Sequence, residues 1–278
     1  MIGRFQGVKN RESRMTIYSF YVILTVMRNK LTRELAVCGF NAVSALAEVH
    51  PEQIKRLFLR QDRLKHFTRV CKYLAEQKRL YKLCEDEELE RLCKSPRHQG
   101  VVAMIQEPEL LRMNHEELDE WSQKKQIGLI LDSVGNDNNL GAIIRSAAFF
   151  GATWVVLSER DKEARLSTSA YRVAEGGMEY IRIRRVTNTE AFISDAAKKL
   201  LVLGAHHRAR LRLQDLPSLV KAPFGGFAVV VGNEETGLSP GAEEACSYLV
   251  RIPGSGQIES LNVAQAATLF LHEISTII

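Results

Sequence analysis

Metal-binding and redox spacings are missing from this chain. Its five cysteines, Cys38, Cys71, Cys84, Cys93 and Cys246, form no C-x-x-C pair, and no histidine stands at ligand spacing from them. No metal site is expected, and an odd number of thiols without a framework fits reduced cysteines in a cytoplasmic protein. The G-x-G-x-x-G fingerprint and the P-loop pattern are also absent, which argues against a nicotinamide-binding Rossmann enzyme and a nucleotide-binding P-loop. There is no internal repeat and no low-complexity tract. The apolar run over residues 17–27, broken by Ser19 and Thr25, is shorter than the roughly 20 residues that span a bilayer. Arg4, Lys9, Arg11 and Arg14 precede it as in a signal peptide, but Arg28-Asn29-Lys30 follows where a small-residue cleavage site would stand. Residues 1–30 therefore read as an N-terminal extension, and no membrane partner is expected.

What is present is ordinary in amount and uneven in distribution. Hydrophobic residues make up 45% and charged residues 26%, as in globular proteins, and 278 residues allow two domains. Residues 1–110 hold 20 Lys+Arg against 13 Asp+Glu, whereas residues 111–278 hold 18 against 20. A basic front beside a near-neutral back fits a polyanion-gripping module joined to a small-molecule pocket. It fits a solvated basic surface equally well.

From residue 31 the pattern turns regular. Strand-like segments at 35–39, 54–59, 80–83 and 101–105 alternate with helical ones at 42–49, 64–74 and 85–93, giving a small α/β unit over residues 31–106. Asn41 is placed to cap the first helix. Leu64, Phe67, Val70, Cys71 and Leu74 mark one face of the second, and Lys65, Arg69, Lys72 and Lys78 its other side. Residues 107–126 are polar and read as a linker with helical tendency near 115–121. In residues 127–278, apolar runs at 127–131, 153–157, 201–203, 227–231 and 249–252 alternate with helices near 142–150, 189–200, 240–246 and 262–275. Continuous apolar strands between helices imply a parallel sheet covered on both faces.

Three small-residue loops follow apolar runs in this second part. The first runs from Asp132-Ser133-Val134 to Asn139-Leu140-Gly141, with Arg145 about one turn into the helix that follows. A helix start there offers free backbone N–H groups, with Asn139 as its cap. Taken alone, this is also what any strand–turn–helix junction with an exposed arginine looks like. The second is Gly232-Asn233-Glu234-Glu235-Thr236-Gly237-Leu238-Ser239-Pro240. Gly237 suits a turn with positive φ, and Ser239 suits the cap of a helix opening at Pro240. The charge of Glu234 is not explained by the turn. The third, residues 252–262, carries Gly254 and Gly256 and ends in Glu259-Ser260-Leu261-Asn262. One cap is needed there, so Ser260 and Asn262 together point to ligand or catalytic contacts.

In order and with a strand ahead of each, these loops resemble the SpoU/TrmH branch of the SPOUT RNA methyltransferases, strongly over residues 127–275 and more loosely over 31–106. The resemblance implies a C-terminal SPOUT domain with a parallel sheet and a deep trefoil knot, preceded by a small α/β substrate-binding domain. It implies S-adenosylmethionine (AdoMet) as cofactor, held mainly by backbone, with Gly204, Gly232, Ile252 and Leu261 at the adenosyl group. It also implies methyl transfer to a ribose 2′-hydroxyl of rRNA or tRNA by a homodimer. Arg145 matches the family's catalytic arginine, and Asn139, Glu234, Ser260 and Asn262 would orient it and the substrate. Two departures stand out. Asp137-Asn138 replaces a region where proline is common, and Ala174-Glu175-Gly176-Gly177 replaces a serine-bearing turn, adding a carboxylate near the expected substrate side. The competing readings are a noncatalytic RNA-binding protein of the same fold and a methyltransferase with another acceptor atom.

Overall fold

The computed structural model describes residues 33–159, 165–220 and 225–277, so the extension assigned to residues 1–30 lies outside the described residues. The small unit comprises β1 (Glu34–Cys38), α1 (Phe40–Val49), β2 (Ile54–Leu59), α2 (Leu64–Glu76), β3 (Leu80–Leu83), α3 (Asp86–Cys93) and β4 (Val101–Gln106). Its strands lie in the order β1-β4-β2-β3. β4 is antiparallel to β1 and β2, and β3 is parallel to β2. The spacing read from α2 holds: Phe67, Val70, Cys71 and Leu74 are buried, while Lys65, Arg69 and Lys72 are exposed. Asn41 does not cap α1. Gly39 occupies that position without a side-chain bond, and the Asn41 amide is used elsewhere.

The expected linker contains α4 (His115–Gln123), opened by a reciprocal cap between Asn114 and Glu117. Leu118 and Trp121 are buried. The Trp121 indole donates to the carbonyls of Gln126 (3.1 Å) and Phe227 (3.2 Å) and stacks on Trp154. Two apolar residues three apart make too short a stripe to be read as a packed helix in a charged sequence.

The larger unit runs β5 (Ile127–Asp132), α5 (Asp137–Phe149), β6 (Trp154–Ser158), α6 (Thr168–Ala174), β7 (Arg182–Val186), α7 (Thr189–Ala197), β8 (Leu201–Ala205), β9 (Leu211–Arg212), α8 (Leu216–Leu219), β10 (Phe227–Gly232), α9 (Pro240–Ala245), β11 (Tyr248–Arg251) and α10 (Val263–Ser275). Its sheet has the order β7-β6-β5-β10-β8-β11-β9, and every pairing is parallel. β5, β6 and β10 are buried along their whole length, as strands covered on both faces must be. β7 and β9 escape the sequence reading because they are edge strands rich in arginine. On β7, Arg182 and Arg184 are paired with Glu120 and Glu117 of α4.

The two units share one continuous core. Val37, Ala42, Val43 and Leu46 from the small unit cluster with Ile144, Ala170, Tyr171, Ala174 and Met178 from the larger. Gly176 makes the approach possible: a Cβ there would lie 2.7 Å from the Ala45 Cβ and 3.1 Å from the Asn41 carbonyl oxygen. Beside it the Asn41 amide donates to Glu175 Oε2 at 2.8 Å. The carboxylate expected near the substrate thus binds the seam between the units.

Glu179 lies in the same seam. Burial pushes its carboxyl up to about 7, with His50 opposing and Glu52 adding to the rise, and burial likewise raises the Tyr171 phenol, with the Glu179 charge adding to it. A raised folded-state value favours the protonated form in the native protein. Its stabilising contribution is therefore complete below the ordinary carboxylate range and is lost as pH rises through about 7. Urea midpoints between pH 5 and 8 should fall with rising pH, and Glu179→Gln should flatten that fall. An identical pH profile in the variant would exclude Glu179 as its source.

Candidate active site

The four central strands run parallel, so the loops after β5, β8, β10 and β11 meet on one side of the sheet, where ligands bind in open α/β folds. At the end of β5, Asp132 is 1% exposed, and its Oδ2 accepts the Ser239 N–H at 2.7 Å. Ser133 follows with φ 66°, a left-handed conformation rare outside glycine. Its carbonyl is held by the Asn233 amide at 2.8 Å. The first and second loops are thereby joined at their bases.

Asn136, not Asn139, caps α5, accepting from the backbone N–H of Asn138 (2.8 Å) and Asn139 (3.4 Å). Asp137 adds an anchor by accepting the Arg165 N–H at 2.8 Å. With capping done three residues earlier, the Asn139 side chain is free to face the other loops. Its Nδ2 donates to Glu234 Oε1 at 2.6 Å, and its Oδ1 accepts from Asn262 Nδ2 at 3.1 Å. Glu234 Oε2 also receives the Gly135 N–H at 3.4 Å. One asparagine, using its donor and its acceptor, therefore ties together residues from all three loops.

The second loop owes its shape to close backbone packing. A Cβ on Gly232 would fall 2.2 Å from Gly237 backbone atoms, because Asn233 and Gly237 exchange both backbone bonds. Gly237 has φ 75°, and Ser239 caps α9 ahead of Pro240, as the sequence indicates. The Asn233 Oδ1 gathers the Glu235 and Thr236 N–H groups. In the third loop Asn262 caps α10, accepting the Ala264 N–H at 2.9 Å, while its amide nitrogen reaches Asn139. It combines the cap and the site contact. Ser260 is exposed and shares no hydrogen bond with the other candidates.

Arg145 is exposed on α5 and makes no ion pair or hydrogen bond among the described residues. The expectation that Asn139, Glu234, Ser260 and Asn262 orient it is not met within one chain. One turn further along α5, Phe149 is 81% exposed. Leu269, 40% exposed, lies on α10, which packs on α5 through a Ser146–Thr268 hydroxyl contact of 2.7 Å.

Of the positions matched to the cofactor, Gly204 is buried on β8, where a Cβ would lie 2.7 Å from Leu249 and 2.9 Å from the Cys246 sulfur. Ile252 is half-buried just past β11, and Leu261 is exposed in the third loop. Burial, with Asp132 and Glu243 nearby, pushes the Cys246 thiol up to about 12, which favours the neutral thiol there. Asp132 and Asn233 were not singled out as site residues from sequence. The available signal was an aspartate closing an otherwise apolar strand.

The sequence model of the SpoU rRNA methylase family matches residues 126–272, and that for RNA 2′-O ribose methyltransferase substrate binding matches residues 36–111. The chain is 35% identical to the 23S rRNA (guanosine-2′-O-)-methyltransferase RlmB of Acinetobacter baylyi over 84% of its own length and 94% of the relative's. For the protein of that name from Nitrosomonas europaea the identity is 34%, over 87% and 92%. Among solved structures, the AdoMet-bound rRNA methyltransferase from Sinorhizobium meliloti superposes with a TM-score of 0.71 at 20% identity, covering 96% of this chain and 97% of that one. The SpoU methyltransferase AviRb from Streptomyces viridochromogenes, in complex with AdoMet, gives 0.66 at 21% identity, covering 90% and 92%. These two share the fold.

Proposed function

Because the chain belongs to the SpoU rRNA methylase family, we propose that it transfers a methyl group from AdoMet to the 2′-hydroxyl of a guanosine in 23S rRNA, working as a homodimer. The observation that carries this reading is the Glu234–Asn139–Asn262 chain of hydrogen bonds, which joins three loops at the C-terminal ends of parallel strands. A noncatalytic RNA-binding protein would have no use for that polar network at the mouth of a small-molecule site. The insertion of β11 between β8 and β9, which are joined by residues 206–210, supports threading of the chain into a trefoil knot. The five free thiols support a cytoplasmic setting.

The loops suit the cofactor. Gly237, Gly254 and Gly256 face open space, so backbone can approach a ligand. Ile258 and Leu261 expose 82% and 49% of their surface, offering apolar cover for a purine. Backbone of Gly204, Gly232, Ile252 and Leu261 would hold the adenosyl group, with the Glu234 carboxylate favouring a cation nearby. When bound, AdoMet supplies a methyl group activated by a sulfonium.

The remaining work is positioning. A hydroxyl is a weak nucleophile and must be held in line with the methyl group. The Arg145 guanidinium offers N–H donors and no acceptor, so it is unsuited to removing the ribose proton. It grips an RNA phosphate and stabilises charge developing on the 2′-oxygen. Its place beside exposed Phe149 and Leu269 supports a role in a site completed by a second copy packed on α5 and α10. Asn139, Glu234 and Asn262 hold the loops in register, and Ser260, free in the third loop, contacts the substrate. Incubating the purified protein with AdoMet and a 23S rRNA transcript, followed by mapping of 2′-O-methyl positions, tests the reading. Transfer to a base or to protein alone would refute it.

The small unit serves as the RNA grip. Lys65, Arg69 and Lys72 line the exposed side of α2, and each phosphate contact contributes roughly 0.7–0.9 to the slope of log K against log salt. Reversing all three charges should weaken RNA binding at least about tenfold and lower that slope by about 2. An unchanged slope would show that α2 does not touch RNA.

A further inference from the structure

Beyond α2 and the catalytic loops, the far edge of the larger sheet carries a concentration of arginine that neither the core nor the catalytic network uses. Arg251, the last residue of β11, is the register partner of Arg212, the last residue of the edge strand β9. In parallel register the two side chains share one face, and like charges placed side by side destabilise a sheet. Arg208 and Arg210 lie on the segment that crosses from β8 to β9, beside the stacked rings of His206 and His207. Carboxylates answer only part of this charge. Glu259 pairs with Arg208 (3.0 Å) and His207 (3.2 Å), Glu243 with His206 (3.4 Å), and Asp215 with Arg212 (3.2 Å). Arg210 and Arg251 are exposed and make no ion pair among the described residues, although Arg251 lies near enough to Asp215 to add to the lowering of its carboxyl by Arg212. Arg251 also stands directly before the third loop, so whatever binds it lies next to the catalytic loops.

We propose that Arg210 and Arg251, framed by Arg208 and Arg212, form a second RNA-backbone contact that holds phosphates of the substrate strand beside the cofactor loops. The inference rests on the assignment of RNA as substrate and adds a contact on the catalytic unit itself. An anion between Arg212 and Arg251 relieves their repulsion, and guanidinium forks match phosphate oxygens. Phosphate contacts orient a nucleic acid without reading its sequence, which is what a strand needs before one ribose is presented to the methyl group. The bland role for these residues is protection of the short edge strand β9 from pairing with other chains.

The full chain carrying Arg210→Gln and Arg251→Gln separates the two roles. Neither residue forms an ion pair among the described residues, and Asp215, which also feels Arg251, keeps its pairing with Arg212 in the double variant. Binding of a 23S rRNA transcript, measured at several salt concentrations, should weaken at least about tenfold, with the salt slope reduced by about 1.5. AdoMet binding by calorimetry should match the wild type, and the melting temperature should be no lower, since losing the Arg251 charge relieves its repulsion with Arg212. Wild-type RNA affinity and salt slope in the variant, particularly with increased self-association, would overturn the proposal in favour of edge protection. Loss of AdoMet binding together with RNA binding would also overturn it, because the arginines would then act by shaping the third loop. If the wild-type protein itself neither binds nor methylates the transcript, the failure belongs to the assigned substrate and is seen before any variant is made.

Discussion

Arg145→Ala should lower methyl transfer at least about a hundredfold, the scale seen when one preorganised donor to a developing oxyanion is removed. AdoMet affinity should stay near the wild-type value. The reasoning combines exposure with location. Arg145 has no intramolecular partner among the described residues, so its removal breaks no ion pair and leaves the fold intact. It also sits apart from the Glu234–Asn139–Asn262 chain, on the part of α5 that exposes Phe149. If Arg145 serves the site of a second copy, mixing Arg145→Ala chains with Glu234→Ala chains restores transfer, since one of the two sites in each mixed dimer has every group. Full turnover in Arg145→Ala would remove the arginine from the mechanism. Failure of the mixture to recover would place it in its own chain's site.

Glu234→Ala should weaken both AdoMet binding and transfer by about 10- to 100-fold, the equivalent of losing a hydrogen bond to a charged group worth roughly 1.5–3 kcal/mol. The carboxylate is the acceptor for the Asn139 amide, and Asn139 in turn holds Asn262, so its removal frees three loops at once. Glu234→Gln retains an oxygen acceptor while losing the charge. It should recover most of the loop order and only part of the cofactor affinity if the carboxylate also favours the sulfonium. Calorimetry with AdoMet and a single-turnover transfer assay check both results. Equal affinity in wild type, Glu234→Ala and Glu234→Gln would show that the loops hold their arrangement without this bond.

Much of the fold is legible because burial leaves a mark on sequence. β5, β6 and β10 are apolar throughout since both faces are covered, and α2 shows its inner face at three- and four-residue spacing. The elements that escape are those whose environment is supplied from far along the chain. β7 is polar because its arginines answer Glu117 and Glu120, and α4 looks like a linker because only Leu118 and Trp121 anchor it. In the site, the turns at Gly232 and Gly237 and the cap at Ser239 follow from local backbone requirements and could be read directly. Assigning the α5 cap to Asn139 failed because four consecutive residues, Asn136 to Asn139, can all accept from a helix start, and sequence does not rank them.

The sequence by itself determined two α/β units, a parallel sheet and three loops of the right residue types in the right order, because these depend on periodicity and on conformational preferences acting over a few residues. Only the tertiary structure decided which asparagine would be free, that Glu175 would belong to the seam between the units, and that Arg212 would stand beside Arg251. Those outcomes depend on contacts between residues distant in sequence, such as the 95 positions between Asn139 and Glu234, and a hydrogen bond exists only once the whole sheet has brought its two ends within 3 Å or so.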